Sequence, residues 1–206
     1  VLYVCVGERG GDSRMAAPSA SSALCFRKDT AVFGCFSNFS AHPVQVDGVV
    51  WPTTEHFFQG MKPPQGHEEV REEVRSCKTP GKAKHLGRRV PLRDDWDTYR
   101  LEVMLTALRA KFSQHPSIGE TLLLTGDREL VEDNKSDAFW GCGANGKGKN
   151  MLGKLLMQVR EEMRSGLTGA AAAGPSSSPS LGSSSASSGQ EEAQMSVKAL
   201  HSSHSI

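Results

Sequence analysis

Apolar positions along the chain fall into short, separated runs whose spacing changes from strand-like to helical. Thr30-Ala31-Val32-Phe33-Gly34-Cys35-Phe36-Ser37-Asn38-Phe39-Ser40 is dominated by apolar and aromatic residues and predicts a strand running into a turn at Ser37-Asn38. Val44-Gln45-Val46 and Val49-Val50-Trp51 flank Asp47-Gly48, a pair that supplies the positive backbone angles of a two-residue hairpin turn. Pro52 fixes its own φ and keeps Trp51 extended, and either Thr53 or Thr54 can cap a following helix. Helical spacing then takes over. Glu68 to Cys77 places Val70, Val74 and Cys77 on one face, and Thr79-Pro80 opens a helix that Gly87 stops. Asp94 or Asp95 can cap the longest helix, through about Phe112, with Leu101, Leu105, Leu108 and Phe112 as its core stripe. A short helix around Ile118 to Leu124 ends at Gly126, and Leu130-Val131-Glu132 is a candidate strand. Asn150 can cap a last helix striped by Leu152, Leu155, Leu156, Val159 and Met163. The pattern predicts an α+β fold, a small and mostly helical single domain with a short β-hairpin.

The two ends differ from this middle. Residues 1 to 28 are small and polar without a sustained period and read as a mobile arm, in which Met15-Ala16-Ala17 reads as an initiator. From Ser165 onward, stretches such as Ala170-Ala171-Ala172-Ala173-Gly174 and Ser183-Ser184-Ser185 cannot bury enough apolar surface to offset the entropy of ordering. Residues 166 to 206 therefore read as a disordered tail, and residues 29 to 165 as the one folded domain that a 206-residue chain accommodates.

Composition excludes several classes. Lys+Arg of 24 against Asp+Glu of 23 gives a formal charge of +1, so no overall field draws the chain to nucleic acid or membrane. The longest apolar run, Val1 to Val6, falls far short of the roughly 20 residues that span a bilayer, and no basic region precedes it as in a secretory signal. Cys5, Cys25, Cys35, Cys77 and Cys142 are odd in number and form no C-x-x-C pair. That argues against a disulfide framework or a zinc site and favours a reduced, cytoplasmic setting, with the nucleus also open. His42, His56, His85 and His115 show no metal-ligand spacing, and neither a metal nor another cofactor is expected.

Three features carry candidate chemistry. Glu55, Gln59 and Lys62 stand at i, i+4 and i+7, opposite Phe57, Phe58 and Met61. The stripe is either a solvated helix face or a buried site. Glu55 and Lys62 lie ~10 Å apart along a helix axis, too far for a backbone-fixed ion pair, so a substrate touched at both points is expected rather than a salt bridge. The second feature, Gly141-Cys142-Gly143-Ala144-Asn145-Gly146, matches G-x-G-x-x-G but follows an acidic, aromatic turn instead of a buried strand. As a P-loop it fails, because Gly148 stands where a magnesium-binding hydroxyl is needed. A phosphate cradle of glycine N–H groups, Lys147, Lys149 and a helix N-terminus is one reading, a flexible surface loop the other. The third is Asp137 with Trp140, an acid and an indole that suit a nucleoside, or else an exposed acid beside a core tryptophan.

Several motifs occur in one order: Phe33-Gly34-x-Phe36-Ser37-Asn38-Phe39-Ser40, Trp51-Pro52-Thr53-Thr54-Glu55-His56-x-x-Gln59-x-x-Lys62, Ala83-Lys84-x-x-Gly87-Arg88, Asp95-Trp96, Asp137-x-x-Trp140-Gly141-x-Gly143 and Asn150-x-Leu152-Gly153. Together they resemble the YbiA-like, or NADAR, N-glycosidases over about residues 29 to 165. The resemblance implies a small, largely helical α+β domain that cleaves N-glycosidic bonds of ribosylated compounds. Its implied partners are a small nucleotide-like molecule, such as a phosphorylated ribosylamino-pyrimidine intermediate of riboflavin synthesis, or ADP-ribose on guanine in nucleic acid. No membrane and no obligate protein partner are implied. The matched acids are Glu55 and Asp137 and the matched amine is Lys62, a Schiff-base nucleophile toward a ring-opened ribose once part of it is neutral. Glu55 or Asp137 would pass protons to the leaving nitrogen and from water. Phe39, Trp96 and Trp140 are candidates for stacking, and Asn38 for a ribose hydroxyl. Arg88, Lys147 and the backbone of Gly143, Gly146 and Gly148 are candidates for phosphate, with Gln59 and Gly141 in the same pocket. A non-catalytic reader of ADP-ribose uses the same pocket without needing the amine. An interaction protein working through its Ser-rich tail leaves the ordered motifs unexplained.

Overall fold

Phe26, Phe36 and Phe112 come from three distant parts of the chain and meet in the core. Their ring centroids lie 5.7 Å apart for Phe26–Phe36 and 6.0 Å for Phe36–Phe112. The computed structural model describes residues 23–166. The expectations for Met15, for most of the N-terminal arm and for the Ser-rich tail lie outside the described residues.

The arm ends earlier than the composition suggested. Leu24–Phe26 forms strand β1, with Leu24 and Phe26 buried and Cys25 between them half-buried. It pairs in parallel with β4, Leu130–Glu132, in the register Leu24↔Leu130 and Phe26↔Glu132. A three-residue strand has no period to read, and its partner lies almost the whole domain away.

A second correction concerns Thr30 to Ser40, where no strand forms. Phe33–Phe36 is a 3-10 helix, entered through a bond from Gly34 N–H to the Thr30 carbonyl at 2.7 Å. With three residues per turn, Phe33 and Phe36 fall on one side and reach the core together. Aromatic content signalled burial correctly but said nothing of the backbone.

The hairpin forms as expected. β2 (Val44–Val46) and β3 (Val49–Trp51) pair antiparallel around Asp47 and Gly48, whose φ values of 50° and 77° are both positive. Helices follow in order: α1 (Thr54–Gly60), α2 (Glu68–Arg75), α3 (Pro80–Leu86), α4 (Trp96–Gln114), α5 (Pro116–Leu123) and α6 (Met151–Arg164). Thr79 caps α3 through a bond from Lys82 N–H, with Pro80 at its first position and Gly87 at its end. Asp95 precedes α4, but its carboxylate is held by Arg93 and does not cap the helix.

The core face of α4 is rotated from the expected stripe. Leu101 and Leu105 are half-buried, whereas Val103, Met104, Ala107, Leu108, Lys111 and Phe112 are buried. α4 packs against α1, α6 and β2 at once, so its covered face is wider than a single apolar stripe. Lys111 is fully buried there, donating to the Ser37 carbonyl at 2.9 Å and to Ser40 Oγ at 2.6 Å. It ties the turn after the 3-10 helix to the centre of the domain.

Asn150 is the last departure. It sits in the left-handed region just before α6 and makes no capping bond. Its side chain instead accepts from Glu132 N–H at 3.0 Å and donates to the Leu130 carbonyl at 2.8 Å, continuing the edge of β4. Gly153, one turn on, lacks the Cβ that would collide with that same carbonyl, so α6 can lie directly on the strand. Asn150→Ala is expected to lower the unfolding free energy by about 1–3 kcal/mol for each strand group left without a partner. Urea unfolding midpoints of the two proteins measure it, and equal midpoints would show the clamp to be dispensable.

Candidate functional site

Helix α1 carries the first site residues, and every one of its seven residues is buried. The chain enters it through Thr53, whose hydroxyl accepts from His56 N–H at 3.3 Å and pairs with His56 Nδ1 at 2.8 Å. His56 Nε2 meets the Cys77 carbonyl at 3.0 Å. A carbonyl only accepts, so Nε2 carries the proton and Nδ1 accepts from the threonine hydroxyl. Burial lowers the pKa of His56, and its role is to tie the start of α1 to the end of α2.

Of the two readings of the Glu55–Gln59–Lys62 stripe, the solvated one fails. Glu55 is 5% exposed and Gln59 3%. Gln59 Nε2 donates to Glu55 Oε1 at 2.8 Å. Lys62 lies two residues beyond the helix end, and its Nζ donates to the Gly87 carbonyl at 3.0 Å. Glu55 and Lys62 form no ion pair with each other; each has another partner. Gly87 serves both, because a Cβ there would collide with the Gln59 side-chain oxygen. Gly87→Ala is thus expected to displace Gln59 and, through the backbone, Lys62. A catalytic geometry off by about 1 Å costs on the order of 10²-fold in rate. Steady-state turnover measured beside an unchanged far-UV spectrum tests this, and wild-type turnover would refute the positioning role.

These residues open onto a cavity of about 850 Å³. Its buried lining combines the polar Asn38, Glu55 and Gln59 with the apolar Phe58 and Met104, and the partly buried Glu132 and Asp137 stand beside them. Cations stand at its exposed edge, namely Arg27, Lys28, Arg88 and Lys135, with the half-buried Lys84. Phe39 lies between two of them, with Lys28 and Lys84 amines 5.8 and 5.7 Å from its ring centroid. Trp140 forms another wall, edge-on to Phe58 at 5.3 Å and to Phe139 at 5.0 Å. Asp137 Oδ1 accepts from the backbone N–H groups of Phe139 and Trp140 at 3.0 and 2.8 Å and so fixes the turn that carries the indole. Among the described residues, no three His, Cys, Asp or Glu side chains converge closely enough to hold a metal ion.

Burial shapes the protonation of the site. It raises the pKa of Glu55, opposed by the Gln59 hydrogen bond and the charges of Lys84 and Lys62 and reinforced by Asp137. It lowers the pKa of Lys62, opposed by Glu55 and reinforced by Lys84 and Arg88. An amine and a carboxyl are therefore both shifted toward their neutral forms in one cavity.

Of the residues singled out from sequence, Asn38, Phe39, Glu55, Gln59, Lys62, Arg88, Asp137 and Trp140 all line this cavity. Trp96 does not. It is buried against Phe58, centroids 5.0 Å apart, and supports Lys62, whose amine lies 5.9 Å from its ring centroid. Gly141, Gly143, Gly146 and Lys147 also lie off the cavity lining. Their loop is bonded to itself and to the end of β4: Gly143 N–H donates to the Asn134 carbonyl, Gly146 N–H to Gly143 and Gly148 N–H to Cys142. Lys147 N–H donates to Asn145 Oδ1, and its side chain faces solvent. Glycine N–H groups already spent on the turn cannot cradle a phosphate. Gly141 and Gly148 are required instead by close backbone approach within the loop.

Sequence reasoning passed over Glu132 and Lys84 as site residues, and with them the segment Asp133-Asn134-Lys135-Ser136. The chain gave no signal for Glu132: it ends a three-residue strand whose parallel pairing, the setting in which strand ends commonly carry ligands, exists only once β1 has found it.

The fold and cavity define a small α+β domain with acidic and amide side chains in the lining, a half-buried amine and a cationic edge. The NADAR domain family matches residues 25–164, and the chain belongs to that family. It is 48% identical over 133 residues to N-glycosidase YbiA of Escherichia coli (strain K12), covering 64% of this chain and 82% of that protein. An N-glycosidase of Nostoc punctiforme is 44% identical over 144 residues, covering 68% of this chain and 92% of its own length. The chloroplastic riboflavin biosynthesis protein PYRR of Zea mays is 38% identical over 162 residues, 71% of this chain but only 26% of that protein. The NMR structure of Escherichia coli YbiA is similar with a TM-score of 0.66 and 42% identity, covering 75% of this chain and 92% of that one.

Proposed function

We infer that this protein is a hydrolase of N-glycosidic bonds, acting in the cavity between α1, α3 and the end of β4. The observation that carries this reading is the placement of Lys62, an amine made less basic by burial, in one cavity with Glu55 and Asp137. A passive binder has no use for such an amine, and the relatives named N-glycosidase support hydrolysis directly. The neutral fraction of Lys62 attacks the anomeric carbon, and the sugar–nitrogen bond breaks. Glu55 and Asp137 exchange protons with the sugar as its ring opens and closes.

The substrate is a ribosylated base bearing phosphate. Its ribose sits over Asn38 and Gln59, each of which has a buried side-chain oxygen with no hydrogen-bond partner and so accepts from hydroxyl groups. Its base stacks on Trp140 or Phe39, and its phosphate meets Lys84, Arg88 and the outer cations. The cavity is large enough for a ribosylamino-pyrimidine phosphate and for an ADP-ribosyl nucleobase, which are the two substrate classes we propose.

The deciding experiment incubates the protein with both classes and follows the free base by chromatography, with Lys62→Ala alongside. Release by the wild type and none by the variant is expected. Tight ADP-ribose binding with no base released from any substrate would leave a non-catalytic reader instead. Among the described residues, no helix is long and apolar enough to cross a membrane.

A further inference from the structure

Among the acids lining the cavity, Glu132 is the one with a buried carboxyl oxygen that has no hydrogen-bond partner. Its backbone is fixed from two sides, by pairing with Phe26 in β1 and by the bond from its N–H to Asn150 Oδ1. Its carboxylate is not held in this way: Oε2 is buried and has no hydrogen-bond partner. An ionised oxygen in that position is costly, whereas a protonated carboxyl carries no charge to desolvate and has a proton to give. The two acids matched from sequence, Glu55 and Asp137, differ. Glu55 Oε1 accepts from Gln59, and Asp137 Oδ1 accepts from two backbone N–H groups.

The charges around Glu132 point the same way. Burial pushes its pKa up to about 7, the negative charges of Asp137 in the following loop and Glu55 on α1 add to this, and Lys84 on α3 opposes it. The cavity's remaining charges are Lys62 and Arg88 on the helical side, Arg27, Lys28 and Asp29 after β1, and Asp133 and Lys135 in Glu132's own loop. Arg27 is bound to Asp29 at 2.7 Å, so one of those cations is partly neutralised by its neighbour.

We propose that Glu132 is the acid that protonates the departing nitrogen; this rests on the N-glycosidase reading. As the bond between C1′ and nitrogen breaks, its electron pair stays on nitrogen and the Glu132 proton joins it, so the base leaves neutral and Glu132 becomes a carboxylate. Water then forms a bond to C1′ and its proton returns to Glu132. If Lys62 has taken C1′ first, the same water releases it. One water is consumed, and both side chains end as they began.

The test is the pH dependence of kcat/KM, from pH 5 to 9, for wild type, Glu132→Gln and Glu132→Asp, read as release of base. Wild-type kcat/KM is expected to fall about tenfold per pH unit above about pH 7, where Glu132 of the free protein has lost its proton. Glu132→Gln should lower kcat by about 10²–10⁴-fold with KM little changed, and that alkaline fall should vanish. Glu132→Asp should restore part of the rate and keep the fall. A second measurement needs no turnover: the side-chain carboxyl ¹³C resonance of Glu132 in free wild-type protein, assigned by its loss in either variant, should titrate near pH 7. Glu132→Gln turnover within tenfold of wild type with an unchanged pH profile overturns the proposal, as does a Glu132 resonance that titrates in the ordinary glutamate range. If wild type cleaves and Lys62→Ala does not while Glu132→Gln behaves as wild type, only the assignment of Glu132 falls. If wild type releases no base from any substrate, the N-glycosidase reading itself falls.

Discussion

Lys62→Ala is expected to lower kcat on the order of 10⁴-fold or more, the scale on which loss of a covalent nucleophile is felt, while substrate binding largely survives. The expectation follows from the surroundings of the amine. Its one hydrogen bond goes to the Gly87 carbonyl, and its ring neighbours are Phe58 and Trp96, 5.8 and 5.9 Å from Nζ to the centroids. Burial lowers its pKa, Lys84 and Arg88 push the same way, and Glu55 opposes them without forming an ion pair. More of the amine is therefore neutral near pH 7 than for a lysine in water. Lys62→Arg should not rescue the rate, since a guanidinium stays charged and cannot attack. Borohydride added during turnover should trap a sugar adduct on Lys62 that mass spectrometry locates, with none on either variant. Wild-type turnover by Lys62→Ala would remove the lysine from the mechanism, and turnover lost without any trapped adduct would leave it a binding residue.

The second large effect is on stability. Lys111 is fully buried, and burial lowers its pKa from 10.5 to about 7, opposed by Cys35. Between those two values the unfolded chain binds a proton that the folded one does not, so the folded state gains as pH rises. Over pH 7 to 9 this amounts to about 2–3 kcal/mol, at about 1.4 kcal/mol per unit. The window closes at about pH 9, because buried Cys35 has a raised pKa and works in the opposite direction above that. Glu132, raised to about 7, acts below the window: its contribution is lost as pH rises from 4.5 to about 7. Urea unfolding at pH 7, 8 and 9 should therefore show wild type gaining more stability than Lys111→Met, which keeps only the gain from Lys62, whose pKa burial also lowers. The variant also leaves the Ser37 carbonyl without its donor, so it should fall below wild type at pH 9 while coming closer to it at pH 7. Parallel curves for the two proteins would mean that Lys111 is charged in the folded state throughout.

Elements whose cause is local were legible in the chain. Asp47-Gly48 forms its hairpin because those two residues accept positive φ, whatever surrounds them. Thr53 and Thr79 cap their helices because a hydroxyl lies within reach of a free N–H in the next turn. Glu55, Lys62, Asp137 and Trp140 were legible for a different reason: their spacing repeats the motifs of a family, and the fold brings them to one cavity.

Elements whose cause is distant were not. Strand β1 exists because Leu24, Cys25 and Phe26 find β4 across the domain, and three residues carry no period that announces it. Asn150 had the chemistry of a helix cap, yet the free edge of β4 competes for the same side chain and wins. The glycine loop had the composition of a phosphate cradle, but its N–H groups are consumed in joining the loop to the end of β4. Lys111 was invisible among the apolar residues of α4, because nothing in a helix pattern says that one amine will find a carbonyl and a hydroxyl in the core.

By itself, then, the sequence determined the hairpin, the helix starts and the pairing of an acid with an amine on one stretch of chain. Each depends on bonds or angles within a few residues. The tertiary structure alone decided that this stretch is buried rather than wet, that Gly87 locks Gln59 and Lys62 in place, and that Glu132 joins Glu55 and Asp137 in the same cavity. Those outcomes depend on desolvation and on the electrostatic influence of groups far apart in the chain, and neither exists until the chain has folded.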